Sequence, residues 1–349
     1  MEPCAPRRRI PPSTPALLLA LTLACRDDTA SPTGPEPPAL AATQALAFSQ
    51  LSAGGRHTCG VTAGHRAYCW GLNVAGQLGD GTTIRRLRPV AVAGALEFRT
   101  VSAGLDYTCG VATDNRAYCW GQGGAGNLGN GATSNRSRPV AVAGGHLFRR
   151  VDAGEAHTCG VTTADAAYCW GFNDRGVLGA GIIPRQSTPV AVSGGHRFRQ
   201  VAAGATHTCG VTTSDVVYCW GSDSVGQVGD SAQAAGGNFT PRRVSISRRF
   251  RLVDAGLGAF TCGVSTADKA FCWGGGRNGE IGDGKDYLRF LPRAVAGGRS
   301  FSQMTAGAAH TCARTAAGVA FCWGTNEYGQ LGDGTTTNRN RPTRVTGAM

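Results

Sequence analysis

The amino-acid sequence predicts an all-β chain folded as a six-bladed β-propeller, with four short antiparallel strands in each blade. Three observations carry that prediction. The tripeptide Cys-Trp-Gly occurs six times, with Trp70, Trp120, Trp170, Trp220, Trp273 and Trp323. Successive copies lie 50 residues apart, except for 53 between the fourth and the fifth, and a period of this length marks a solenoid, a propeller or an array. Gly occurs 53 times, roughly twice its average usage, and without Pro-rich tracts in the repeats that signals many tight turns between short strands.

Each copy divides into four strands. In the second they are predicted over 98–103, 107–113, 116–120 and 138–142, separated by Ala-Gly, Thr-Asp-Asn, a Gly-rich stretch ending in Leu-Gly-Asn-Gly, and Ala-Gly-Gly. Pro139 and its equivalents Pro89, Pro189, Pro241, Pro292 and Pro342 are placed at the start of the last strand, where a missing N–H costs little. The longer fourth spacing divides into two residues near 233–238 and one near 257–259, both loop sites rich in Gly and Ala. One such sheet is too small to bury both faces, whereas six stacked radially do so. The first strand (46–53) and the last (341–346) are expected to lie close together and close the ring.

Twelve of the 14 cysteines recur as Cys-x9-Cys: Cys59 with Cys69, Cys109 with Cys119, Cys159 with Cys169, Cys209 with Cys219, Cys262 with Cys272, and Cys312 with Cys322. The turn falls midway between each pair, so the two cysteines oppose one another across a hairpin at a Cα separation suited to a disulfide. Each bond would contribute about 2.5–3 kcal/mol by constraining the unfolded chain. Buried free thiols are the alternative. A metal site fits poorly, because there is no Cys-x2-Cys and each pair lacks third and fourth ligands.

The N-terminus has its own logic. Arg7, Arg8 and Arg9 precede an apolar run over 16–24 that is too short to span a bilayer, which predicts a signal peptide over 1–24. Its end, Leu21-Thr22-Leu23-Ala24-Cys25, resembles a bacterial lipoprotein signal, with Thr22 where that family prefers Leu. The resemblance implies lipidation of Cys25; ordinary cleavage nearby is the alternative. Residues 26–45 are rich in Pro, Thr and Ala and read as a disordered linker before a propeller domain over 46–349. Export would provide the oxidising compartment that disulfides need.

The repeat Ala-Gly-x-x-His-Thr-Cys-Gly-Val, then Ala-Tyr-Cys-Trp-Gly-x-Asn, then Gly-Gln-Leu-Gly-Asp-Gly-Thr resembles the regulator of chromosome condensation repeat over residues 46–346. Kelch repeats share the period but separate the Tyr and Trp that are nearly adjacent here as Tyr68 and Trp70. Founding members of the family have seven blades, whereas six are counted here. The founding member's nucleotide-exchange activity on a small GTPase is one reading the resemblance implies. An exported domain would not meet that partner, and the chain lacks a long insertion between strands.

Motifs of chemistry are sparse. His57, His157, His207 and His310 share one repeat position with Tyr107 and Phe260, which points to packing or a strand-end hydrogen bond. Asp80, Asp230, Asp283 and Asp333 lie in Gly-Asp turns with one carboxylate per loop, fewer than calcium requires. No phosphate-binding Gly loop, nucleophile elbow or close carboxylate pair is evident. The chain is therefore expected to be non-enzymatic, with neither cofactor nor metal; a polysaccharide-active enzyme using the central depression is the alternative.

The net charge is +12, and without residues 1–24 it is about +10. Arginines cluster at 85–88, 136–138, 242–243, 248–251 and 339–344, either guarding outer strands or attracting an acidic polymer. Identical loops build a ring, so specificity must come from positions that break the repeat. Before the second strand these are Arg56, Asp106, Glu155, Thr206 and Leu257, the candidate binding residues. The expected function is a binding scaffold on the bacterial cell envelope, an outer-membrane or surface lipoprotein or otherwise periplasmic or secreted. The expected partner is an envelope or extracellular protein or an anionic polysaccharide, with no specific nucleic acid, and the chain is expected to be monomeric.

Overall fold

The computed structural model describes residues 46–232 and 236–347. The expectations for the signal segment, Cys25 and the linker fall outside these residues, as does part of the insertion near 233–238.

The described residues form six four-stranded antiparallel sheets and no helix. The first blade comprises β1 (Phe48–Ala53), β2 (His57–Thr62), β3 (Ala67–Gly71) and β4 (Arg86–Ala91). The later blades repeat it as β5–β8 over 98–141, β9–β12 over 148–191, β13–β16 over 198–243, β17–β20 over 250–294 and β21–β24 over 303–344. Strand order in every sheet follows the chain, so each blade is a meander. The first strands of successive blades neighbour one another, which places them on the axial side and the fourth strands on the outer edge. The molecule is a six-bladed β-propeller.

The fourth strand starts earlier than expected. β8 begins at Arg136, so Pro139 lies inside it rather than at its start. The register jumps from Cys119↔Val140 to Gly121↔Arg136, and Pro139 falls within this bulge, where no ladder bond is missed. The same jump recurs in the other blades described with a fourth strand, for example from Cys69↔Val90 to Gly71↔Arg86.

All six cysteine pairs are disulfides, with Cα separations of 4.0–4.1 Å. Each pair is directly opposed on the second and third strands, as Cys59↔Cys69 is, in the closer class of antiparallel pair. The disulfides of the first five blades are fully buried. They therefore sit in the hydrophobic layer between blades rather than on the surface.

That layer is built once per joint. Each blade has a leading face toward the next blade and a trailing face toward the previous one. Between the second and third blades, Phe148, Val151 and Trp170 of the trailing face cover Cys109, Val111, Cys119 and Leu128 of the leading face. Gly129 adopts a φ of +68° and lies against the Trp170 ring, where a Cβ would approach within 2.6 Å. The same glycine–tryptophan contact recurs as Gly79–Trp120, Gly179–Trp220, Gly229–Trp273 and Gly282–Trp323. Five apolar clusters correspond to the five joints between consecutive blades.

The joint between the sixth and first blades differs. Leu51 is 59% exposed, whereas its equivalents Val101, Val151, Val201 and Val253 are at most 3% exposed. Phe48, Thr58 and Trp70 are also partly exposed. On the sixth blade, Arg314 stands where the other blades bury Val61, Val111, Val161, Val211 and Val264. A polar residue on the outer face of a terminal repeat is the usual device for ending a stack. Among the described residues no hydrogen bond joins these two blades, and the first and last strands do not pair with each other. The reason is positional: β1 is an axial strand, β24 is an outer-edge strand, and each pairs only within its own blade.

Two outcomes follow for stability. Val151→Asp places a carboxylate in a closed joint and should cost more than about 3 kcal/mol in urea denaturation. Leu51→Asp, at the same repeat position, should cost under about 1 kcal/mol. Replacing Cys159 and Cys169 together by Ala should cost about 2–3 kcal/mol under non-reducing conditions, measured the same way.

Candidate functional site

The turns between first and second strands form one continuous structure. Gly55 N–H donates to Gly104 O (3.0 Å), Leu105 N–H to Gly154 O (3.2 Å), and Glu155 N–H to Gly204 O (3.2 Å). Ala205 N–H then donates to Gly256 O and Gly258 N–H to Gly307 O, both at 3.4 Å. These bonds link the turns of all six blades into an arc on one face. Arg56, Asp106, Glu155, Thr206 and Leu257 all sit on it, exposed or half-buried. The structure brings the five backbones to one face but joins no two of their side chains by a hydrogen bond or ion pair among the described residues. Asp106 alone of the five is steadied by another loop, accepting from Gln77 Nε2 at 3.4 Å.

Beneath the arc, the repeated histidines bond across joints. His57, His157 and His207 reach Thr108, Thr208 and Thr261 of the next blade, Nε2 to Oγ1, at 2.8 Å each. Each threonine donates its own proton to a loop carbonyl of the preceding blade: Thr108 to Gln77 O, Thr208 to Val177 O and Thr261 to Gln227 O. The imidazole Nε2–H must therefore be the donor to the threonine, which fixes the tautomer. Tyr107 substitutes by donating to His157 O at 2.6 Å. Most of the same carbonyls also accept from tryptophan, as Trp220 Nε1 to Val177 O (2.8 Å) and Trp273 Nε1 to Gln227 O (3.0 Å). Burial holds the imidazoles neutral, depressing His57 and His207 to about 4 and His157 to about 3.

Sequence reasoning missed a pair of axial carboxylates. Asp152 and Asp254 occupy a first-strand position held elsewhere by Ser52, Ser102, Ala202 and Thr305. Asp152 accepts from Ala203 N–H (2.8 Å) and from Ser102 Oγ (3.2 Å), and Asp254 accepts from Ala306 N–H (2.9 Å). Ser52 and Ser102 accept the equivalent N–H groups of Ala103 and Ala153. The carboxylates are thus clamps between neighbouring first strands. Burial, and then the Asp152 charge, push Asp254 up to about 7; burial also raises Asp152. The available signal was the departure from Ser, Ala and Thr at this position.

Several arginines, inside and outside the clusters, serve the fold. Arg86, Arg289 and Arg339 pair with the turn carboxylates of Asp80, Asp283 and Asp333 at 2.6–2.8 Å. On the opposite face, Arg149 binds Asp165 of its own blade (2.6 Å) and Phe198 O of the next (3.2 Å). Arg251 makes the equivalent contacts to Asp268 and Phe301 O. Arg248 lies 5.5 Å from the Phe271 ring centroid, and Arg249 donates to Ser214 O. The run at 248–251 is therefore structural rather than a free basic patch. Among the described residues, no group of three or more His, Cys, Asp or Glu side chains is placed to hold a metal ion.

The buried groups set opposing pH dependences. Between pH 6.5 and about 4 the unfolded chain binds more protons at the histidines than the folded one, so stability falls as pH falls. Between the ordinary carboxylate pKa and about 7 the folded protein binds more protons at Asp254, so stability falls as pH rises. Asp254→Asn keeps an acceptor for Ala306 N–H and should be more stable than the parent at pH 8, with the difference closing near pH 4. Melting temperatures across that range read this directly; a constant difference would remove Asp254 as the titrating group.

The comparisons with known proteins fit this geometry. The regulator of chromosome condensation (RCC1) repeat model matches residues 65–111, 114–161, 165–211, 268–314 and 317–349. A second model of the same repeat matches 48–77, 98–127, 148–177, 198–227 and 301–330. No curated protein sequence matches the chain. Among solved structures, human WBSCR16 superposes with a TM-score of 0.79 at 22% identity, over 86% of this chain and 82% of that one. Prp20p from Saccharomyces cerevisiae, described with binding properties toward Gsp1p and histones, gives 0.77 at 20% identity, over 85% and 76%. The Arabidopsis thaliana receptor kinase ACR4 ectodomain gives 0.50 at 22% identity, over 80% and 81%. These likenesses concern the fold, whereas the repeat match covers more than half of the sequence, and the chain belongs to the regulator of chromosome condensation repeat family.

Proposed function

We propose that this propeller is a binding scaffold of the bacterial cell envelope that recognises a protein or an acidic polymer through the face carrying the first turns. The observation that carries this reading is the hydrogen-bonded arc. It fixes six turn backbones in one frame while leaving a different side chain on each of the first five blades: Arg56, Asp106, Glu155, Thr206 and Leu257. A rigid frame with variable side chains lowers the ordering cost of binding and keeps specificity in a few residues. Propellers of this repeat family are often binding scaffolds.

Six disulfides favour a non-cytosolic location. Together with the signal-like N-terminus they support an anchored envelope protein with Cys25 lipidated. The intact mass of unreduced protein from the membrane fraction tests that point: cleavage before Cys25 plus lipid supports it, and a full-length mass sinks it.

For the face itself, Arg56→Ala, Asp106→Ala and Glu155→Ala are combined. Binding to immobilised envelope proteins and to an anionic polysaccharide is then measured. Loss of about tenfold or more in affinity at unchanged melting temperature is the expected result. Unchanged binding would show that the arc is not the recognition surface, and loss of folding that these residues are structural.

A further inference from the structure

A second recognition element lies at the outer rim, away from the arc. At each of the five joints between consecutive blades the long loop between third and fourth strands packs on the fourth strand of the next blade, leaving an outer groove. Glycine backbones set this contact. A Cβ at Gly76 would meet Ser137, at Gly126 Ser187, at Gly176 Phe239, at Gly226 Phe290 and at Gly279 Asn340, each within 3.0 Å. The grooves are therefore alike in backbone and differ in four variable side chains, two on the loop and two on the strand.

The first groove has Val74, Ala75, Ser137 and Arg138, and the second Gly124, Ala125, Ser187 and Thr188. The third has Asp174, Arg175, Phe239 and Thr240, and the fourth Ser224, Val225, Phe290 and Leu291. In the fifth, between the fifth and sixth blades, the four are Arg277, Asn278, Asn340 and Arg341. All four have become cationic or amide side chains, and they line a cavity of about 430 Å³ with Asn338 and Asp286.

Its chemistry is specific. Neither Arg277 nor Arg341 has a carboxylate or side-chain hydrogen-bond partner among the described residues. Arg341 nonetheless has a defined seat, because its guanidinium lies over Gly284, where a Cβ would come within 2.7 Å. The floor beneath is fixed by the bond from Gly284 N–H to Asn340 O at 2.8 Å. Amides and one carboxylate, Asp286, accompany the cations, and the Asn278 amide is held by donating to Glu280 at 3.1 Å. Asn338 accepts from Asn326 N–H through Oδ1, its amide N–H groups have no partner among the described residues, and Asn340 Nδ2 donates to Asp286 at 3.3 Å.

We propose that this groove binds a sugar unit bearing a sulfate or carboxylate, the guanidinium groups holding the oxyanion and the amides and Asp286 bonding the hydroxyls. Guanidinium forks suit planar and tetrahedral oxyanions. A mixture of amide donors, carbonyl acceptors and one carboxylate suits vicinal hydroxyls. The inference is independent of the arc, and either site can fail without the other.

Calorimetric titration of the whole propeller tests it with a sulfated disaccharide, a uronic-acid disaccharide, inorganic sulfate, a neutral disaccharide and a short single-stranded DNA. One or both acidic disaccharides should bind with one-to-one stoichiometry and more tightly than inorganic sulfate. Arg277→Ala with Arg341→Ala should weaken that binding about tenfold or more. Arg138→Ala is the control, since Arg138 lies over Gly81 in the first groove in the same way; it should leave binding unchanged, as should the triple arc variant. The proposal falls if no acidic disaccharide binds, if inorganic sulfate or DNA binds as tightly, or if Arg138→Ala weakens binding as much as the double variant. Melting temperatures of the exposed arginine variants distinguish lost binding from lost fold.

Discussion

Everything in this molecule depends on how one blade seats on the next. A tryptophan of the trailing face presses on a glycine that has no Cβ, while the adjoining carbonyl accepts the blade's threonine hydroxyl and, at most joints, the indole N–H. That arrangement requires a positive φ at the glycine, a flat ring above it and a donor pair at fixed spacing on two neighbouring strands. Of these residues Cys-Trp-Gly and the seat glycine recur in all six copies, while the residue before that glycine is Leu except at Val228 and Ile281. The disulfide beneath the joint keeps the second and third strands in register, so the ring and hydroxyl arrive together. Arc, axial clamps and outer grooves all inherit their geometry from this seat.

Much of this was legible in the sequence because the repeat multiplies a weak signal sixfold. A single six-residue strand is ambiguous, but six copies with Cys, Trp and Gly in phase fix strand number, hairpin register and disulfide pairing. Physical reasons account for what was not legible. A 50-residue period does not say which of the four strands faces the axis, so the closure of the ring and the role of Asp152 and Asp254 could not be read. The arginines at 248–251 looked free because their partners lie far off in sequence: Asp268, Ser214, Phe301 and the Phe271 ring. Pro139 was misplaced because a bulge admits proline inside an edge strand.

A repeat fold separates stability from recognition with unusual clarity. Positions shared by all blades hold the joints, and substitution at one of them is felt by two blades. Positions that vary are carried by backbones the joints have already fixed, so they are free to specialise. The arc varies in size and charge from blade to blade, whereas the fifth groove differs from the others in a single direction, toward donors. Both patterns are what a scaffold with graftable surfaces produces.

The placement of the disulfides has a mechanical corollary. Each closes a hairpin within one blade, and none crosses a joint. Under tension applied at the chain ends, the joints shear before any covalent bond is loaded, and the propeller unravels blade by blade from its two unpaired faces. The residues enclosed by each disulfide stay shielded from extension, so each step releases about 40 residues, or about 140 Å of chain, instead of a whole repeat. A protein tethered at one end would thus lengthen in discrete increments under load while retaining six folded hairpins from which to re-form.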